Sequence, residues 1–157
     1  MSSSATVRLA ELEGKDVIPL HKLTVAPEQD DFVAPNAVTI AQGRFERNSS
    51  IYTIWAGETR IGLVALIDMR NNPDRDTGDH PEALYVWRLM VGADFQRKGY
   101  GKAAMEAVIT LARTNGHPLV QIQAVHTNSV AVAFYEGLGF RKTGNRFEEE
   151  DQLELWL

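Results

Sequence analysis

The chain has 157 residues, of which 44% are apolar and none is cysteine, and its formal net charge is −5. That length and apolar share suit one folded domain over residues 1–157, and the absence of cysteine excludes disulfides, thiolate metal sites and a cysteine nucleophile. An acidic balance with no basic face argues against a nucleic-acid partner, and charges interrupt every apolar stretch short of membrane-spanning length.

The opening Met-Ser-Ser-Ser-Ala-Thr lacks the features of a signal peptide, so a cytoplasmic protein is expected. Val7-Arg8-Leu9 predicts a short first strand, and the stretch near Asp16 to Lys22 a helix. Residues Pro27 to Asn36 are irregular and polar around Phe32 and Val33, and a second short helix is predicted over Val38 to Phe45. Ile51 to Trp55 and Arg60 to Ile67 flank the turn Ala56-Gly57-Glu58-Thr59 and predict a hairpin. Asp68 to Pro81 is rich in Asn, Asp, Pro and Gly, which marks a solvated loop. Leu84 to Val91 reads as a strand, and an amphipathic helix begins at Lys102, with Lys102, Glu106, Thr110 and Arg113 on one face and Ala104, Val108 and Leu111 on the other. Leu119 to Ala124 is a strand, Ser129 to Leu138 a helix with Asn128 as N-cap and Gly139 as its stop, and Leu153 to Leu157 a last strand. The order β-α-α-β-β-β-α-β-α-β, with room for one further strand after Gly139, is a mixed α/β sheet.

The most informative segment is Gln96-Arg97-Lys98-Gly99-Tyr100-Gly101-Lys102, between a strand and the start of a helix. A helix start offers unpaired N–H groups and the positive end of the helix dipole, a seat for phosphate, and glycines let a ligand approach the backbone. Three phosphate patterns compete. A nucleotide-triphosphate loop needs glycine five residues before Gly101 and a hydroxyl after Lys102, where Gln96 and Ala103 stand, so it fails. Gly99, Gly101 and Ala104 satisfy a dinucleotide G-x-G-x-x-A, but the strand ends several residues earlier and no acidic residue closes the next strand to hold a ribose. The pattern Q/R-x-x-G-x-G/A is met in full by Gln96, Gly99 and Gly101.

With a second motif, Asn128 followed by Ala133-Phe134-Tyr135-Glu136 and Leu138-Gly139-Phe140, the chain resembles the GNAT N-acetyltransferase superfamily. The resemblance implies the GNAT acyl-CoA N-acyltransferase fold: a mixed sheet of six or seven strands, about four helices, and a cleft where the fourth and fifth strands splay. It implies acetyl-CoA as cofactor, with the backbone of Arg97, Lys98, Gly99, Tyr100, Gly101 and Lys102, after Gln96, on the pyrophosphate. Leu89, Met90 and Val91 would pair with the pantetheine arm like an added strand, Asn128 would bond that arm, and Tyr135 would protonate the departing thiolate. Gly92 stands where a bulge would open the cleft; it also fits a plain strand end.

An attacking amine must be neutral, yet an alkyl amine of pKa near ~10.4 is only about one part in 10³ neutral at pH 7. A base or a chain of waters is therefore needed, with Glu82 first among the carboxylates, then Glu28 and Asp68. Residues 25–36, with Trp87-Arg88-Leu89-Met90, are similar to the bacterial spermine and spermidine acetyltransferase branch, which implies a small cationic acceptor such as a polyamine. Glu28, Asp30, Asp31 and Glu82 would then meet its ammonium groups and Tyr85 or Trp87 its methylenes, within an acceptor pocket that also takes in Gln29, Phe32 and Asn36. An antibiotic amine, an amino acid and a protein amine are the alternative acceptors, and a non-catalytic acetyl-CoA-binding module is the alternative class. His21, His80, His117 and His126 have no metal-ligand spacing, so no metal is expected. The alternating edge from Leu153 to Leu157 could support a homodimer.

Overall fold

The computed structural model describes residues 5–29 and 32–157. Among these residues, seven strands form one sheet in the order β1-β2-β3-β4-β5-β7-β6. They are β1 (Arg8–Glu11), β2 (Ser49–Ala56), β3 (Thr59–Asp68), β4 (Leu84–Val91), β5 (Leu119–Val125), β6 (Arg141–Phe147) and β7 (Glu150–Trp156). Four α-helices accompany them among the described residues: α1 (Val17–His21), α2 (Asn36–Gly43), α3 (Tyr100–Thr114) and α4 (Ser129–Gly137). The helix α2 begins two residues before the predicted Val38, and the further strand after Gly139 exists as β6.

β1 to β4 pair antiparallel, β4 and β5 parallel, and β5, β7 and β6 antiparallel again. The single parallel junction follows from connectivity, because β4 returns to β5 through the crossover helix α3. One face of the sheet carries α3 and α4: Val64, Leu66, Leu84, Val86, Val120, Ile122, Ala124 and Leu153 pack with Ala104, Met105, Val108, Val132 and Tyr135. The buried side of α3, Ala104, Met105, Val108, Ile109 and Ala112, repeats at helical spacing and needs no polar partner. The other face carries α1 and α2 over β2 and β3, and a smaller cluster of Ile67, Met69, Ala83 and Leu119 on which Tyr85 and Trp87 pack.

The feature that positions the site is the short pairing of β4 with β5. It covers only Leu84–Val120, Tyr85–Gln121 and Val86–Ile122. Beyond Val86 the strands part. The register of β4 against β3 skips one residue there, Ala65 facing Arg88 and Leu66 facing Val86, so Trp87 is a bulge on β4. Gly92, a candidate for this role, instead ends the strand: its N–H bonds the Ile61 carbonyl and its φ of −57° starts a short 3-10 turn, Ala93–Phe95. The bulge needs an extra residue against the partner strand, which Trp87 supplies and Gly92 does not.

Candidate active site

The backbone between β4 and α3 is shaped by two left-handed residues, Arg97 with φ 62° and Gly99 with φ 83°. Gly99 is the N-cap of α3, and a β-carbon there would be strained by φ alone. No side chain among the described residues caps this end. From Arg97 to Lys102 none of the six backbone N–H groups donates to any acceptor among the described residues, and the first helical bond is Ala103 N–H to the Gly99 carbonyl, 3.1 Å. Two left-handed residues so close together leave the amides between them outside any regular hydrogen-bond pattern, and the dipole of a 15-residue helix adds to them. This is an anion cradle, and the residues present fit a diphosphate.

Gln96 braces it from below. Its Nε2 donates to the Val91 carbonyl (2.9 Å) and to Gln29 Oε1 (2.9 Å), tying the end of β4 to the 3-10 turn Pro27–Gln29. The structure thus brings Gln29 to the glycine turn, with Glu28 exposed beside it. Asp30 and Asp31 lie outside the described residues.

The parted strands expose backbone. Because Gly92 N–H points at β3, the two-residue alternation of an antiparallel pair turns the amides of Met90 and Arg88 toward β3, and those of Leu89 and Val91 toward the gap. With the Val91 carbonyl held by Gln96, the Leu89 N–H and carbonyl and the Val91 N–H remain for an extended, amide-bearing ligand. Met90 therefore contributes no backbone group to the gap. Asn128 caps α4 with Oδ1 on Ala131 N–H at 3.2 Å, which leaves its Nδ2 without a partner among the described residues.

Tyr135 is 8% exposed and sits edge-on to Phe134 and Phe140, with ring centroids 5.1 and 5.8 Å away. Its hydroxyl has no hydrogen bond among the described residues, and burial pushes the phenol well above its ordinary pKa. It stays a proton donor through neutral pH.

The α1–α2 face of the gap is polar. Past the bulge, Arg88 and Met90 point to this side: Arg88 Nη1 donates to Thr39 Oγ1 (2.9 Å) and Gln42 Oε1 (3.0 Å), and Met90 Sδ lies 3.3 Å from Asn36 Nδ2. Asn36 is buried, donates to the Leu20 carbonyl at 2.9 Å, and leaves Oδ1 without a donor among the described residues. Trp87 lies under the Arg88 guanidinium, 4.7 Å from the ring centroid, so the cation already covers one face of the indole. Tyr85 is half-buried, and burial, then the nearby charges of Glu150 and Asp79, push its phenol up. Phe32 lies in the segment joining the Pro27–Gln29 turn to α2, partly buried.

Glu82 is not brought to the gap. It is exposed and precedes β4, at the end where β4 and β5 are still paired, and its carbonyl accepts from His117 Nδ1 (3.0 Å). Seven residues of strand at ~3.3 Å each separate it from Leu89, beyond the reach of any side chain. Asp68, at the same end, is held by the Arg70 guanidinium at 2.9 and 3.1 Å. At the open end of the gap stands a carboxylate that no sequence pattern marked. Glu150 opens β7 opposite Val125, the last residue of β5, on the face opposite Leu153 and α3. It is half-buried with no hydrogen bond or ion pair among the described residues, and burial raises its carboxyl despite the opposing pull of Arg88.

A family model described as "Acetyltransferase (GNAT) family" matches residues 14–140. N-acetyltransferase 8F1 of Rattus norvegicus is 28% identical over 108 residues, 69% of this chain and 47% of the relative. N-acetyltransferase family 8 member 3 of Mus musculus is 31% identical over 93 residues, 59% of this chain and 40% of the relative. The chain thus spans less than half the length of these curated relatives. Among solved structures, an acetyltransferase from Thermus thermophilus superposes with a TM-score of 0.76 at 18% identity, covering 97% of each chain. A spermidine N-acetyltransferase from Vibrio cholerae, in complex with CoA and spermine, superposes at 0.73 with 16% identity, covering 98% of this chain and 96% of that one. At such identities the likeness is one of fold. A match over residues 14–140, on a sheet that opens between β4 and β5, shows that the chain belongs to the acetyltransferase (GNAT) family.

Proposed function

We propose that the protein is an N-acetyltransferase that moves an acetyl group from acetyl-CoA to a primary amine of a small acceptor by direct attack. The observation that carries this reading is the run of six amides, Arg97 to Lys102, without a partner among the described residues, at the end of a strand whose neighbour has parted from it. These amides would hold the diphosphate, Leu89 and Val91 the amide-bearing arm, and Asn128 Nδ2 a carbonyl of that arm. Acetyl-CoA supplies a thioester carbonyl carbon that an uncharged amine can attack.

This chain's residues divide the work between the two faces of the sheet. Tyr135 belongs to the α3–α4 face and keeps its proton, as a donor to a departing thiolate must. The α1–α2 face, with Arg88, Tyr85, Asn36 and Glu150, is left for the acceptor. Acid and acceptor thus stand on opposite sides of the gap.

A polyamine acceptor is supported by the carboxylates whose charge reaches Tyr85, namely Glu150, Asp79 and Asp76, and by the name of the Vibrio cholerae neighbour. Arg88 in the same recess counts against it, since a polycation gains nothing from a guanidinium. A non-catalytic acetyl-CoA-binding module would have no use for a buried phenol with a free hydroxyl. Thiol release by the purified protein over spermine, spermidine, putrescine, amino acids and a peptide N-terminus tests the reading. At least one amine is expected to release coenzyme A in step with N-acetyl product. Binding of coenzyme A with no turnover on any amine would favour the binding module, and turnover on other amines with polyamines inert would end the polyamine reading.

A further inference from the structure

Two opposite charges on the α1–α2 face of the gap stand near one another without meeting. Arg88 has five N–H donors; two are used on the neutral oxygens of Thr39 and Gln42, and Nε and Nη2 have no partner among the described residues. It is partly buried, and that burial lowers its pKa. Glu150 is partly buried as well, equally without a partner, and the fields of the two groups reach each other, yet no ion pair joins them. Partial burial of an uncompensated charge is unfavourable, and close pairing would relieve both. Their placement explains why they stay apart. Arg88 follows the bulge on the β4 bank of the gap, while Glu150 lies on β7 beside Val125, beyond the β5 bank.

We propose that Arg88 and Glu150 are the two ends of one acceptor site, and that the acceptor carries a carboxylate beside its primary amine, as an amino acid does. The carboxylate takes the fork of Nε and Nη2, for which a guanidinium is the fitting donor. The ammonium faces Glu150, to which it can pass one N–H proton: the N–H bond breaks, an O–H bond forms on the carboxyl, and the nitrogen keeps the electron pair it needs for attack. The proton then leaves Glu150 for water. A polyamine would satisfy Glu150 and leave Arg88 as it is. A fatty amine would do the same.

The proposal rests on the N-acetyltransferase reading and narrows it. The test uses matched probes differing only in the carboxylate, L-methionine with L-methioninamide and L-lysine with L-lysinamide, and spermidine beside them. Each acid is expected to exceed its amide at least tenfold in kcat/KM and to outrun spermidine. Arg88→Met should erase that preference by raising KM for the acids, and Arg88→Lys should keep part of it, which separates recognition from misfolding. Calorimetry on protein saturated with coenzyme A should show the acid binding to the wild type and about tenfold more weakly to Arg88→Met, with coenzyme A affinity unchanged. Glu150→Gln should slow acid and amide alike. Amides that match or exceed the acids, spermidine as the fastest probe, or an acid-to-amide ratio that Arg88→Met leaves intact would each overturn it. If instead no amine releases thiol although coenzyme A binds, the transferase reading itself falls, and this inference with it.

Discussion

At the scale of single residues, two glycines in one turn have different duties. Gly99 caps α3 with φ 83°, so Gly99→Ala forces a left-handed alanine, costing about 1–2 kcal/mol, and disturbs the amides on either side. Gly101 lies inside the first turn, where a β-carbon would meet the Phe134 ring at an ordinary 3.5 Å. Gly101→Ala should therefore hold or raise the unfolding temperature, since alanine is preferred in helices by about 1 kcal/mol, and should keep coenzyme A affinity. Gly99→Ala should lower both, as melting curves and calorimetry on the two variants would show. Tyr135→Phe removes only the hydroxyl. Turnover is expected to fall on the order of 10²-fold, with coenzyme A affinity within about twofold of wild type; equal turnover in single-turnover kinetics would remove the phenol from the chemistry.

At the scale of elements, the N-terminal edge is secured by charge. Asp16 is 2% exposed and bonds the Arg60 guanidinium on β3 at 2.8 Å and the Glu13 N–H at 2.8 Å. The Arg8 and Arg60 guanidinium groups both lie over the Trp55 ring, 4.8 and 4.4 Å from its centroid, and join β1 to the β2–β3 hairpin. Burial alone would raise the Asp16 carboxyl, but the hydrogen bonds from Glu13 and Arg60 outweigh it and hold the group below its ordinary pKa. The sign follows: the stability gained is complete above the unfolded carboxyl pKa of about 3.9 and is lost as pH falls through the lower folded value. Asp16→Ala should thus cost on the order of 2 kcal/mol at pH 7, and urea midpoints of variant and wild type should draw together toward pH 2.

The elements also show what the sequence could and could not disclose. The glycine turn and the α4 motif were legible because fixed spacings carry them: the strand, the amide loop and the helix start must follow within a few residues. β6 was not, beyond the room left for it, since Arg-Lys-Thr-Gly-Asn-Arg-Phe has no apolar alternation and forms a strand only by pairing with β7. The bulge escaped because no glycine or proline marks it; Trp87 becomes the extra residue only against the register of β3. Glu150 escaped for a related reason. It lies 62 residues beyond Arg88 in sequence, and only the order β4-β5-β7 carries it to the gap. Glu82 was favoured for proximity in sequence to β4, which placed it at the wrong end of that strand.

At the scale of the whole molecule, the gap that admits a ligand also weakens the sheet. β4 and β5 share only a short parallel pairing, and the two halves of the sheet are otherwise joined through α3 and the core beneath it. A ligand that pairs with Leu89 and Val91 would complete that seam. Coenzyme A at about 100 times its Kd should add about 2.7 kcal/mol to stability. For a domain of 157 residues that is a rise in unfolding temperature of roughly 5–10 °C. Calorimetric melting should show the rise for wild type and a smaller one for Gly99→Ala at the same ligand concentration; no rise for wild type would contradict the seam.

Trp87 has a consequence for how this protein can vary. One supernumerary residue inverts the parity of everything after it on β4, sending Leu89 into the oily layer and Arg88 to the wet side. Trimming the strand by a single position between Val86 and Arg88 would exchange these two sets, burying a guanidinium among aliphatics and turning the wrong amides toward the opening. Substitution of the indole by another side chain should be far milder. Length, more than identity, is what selection must guard at this point.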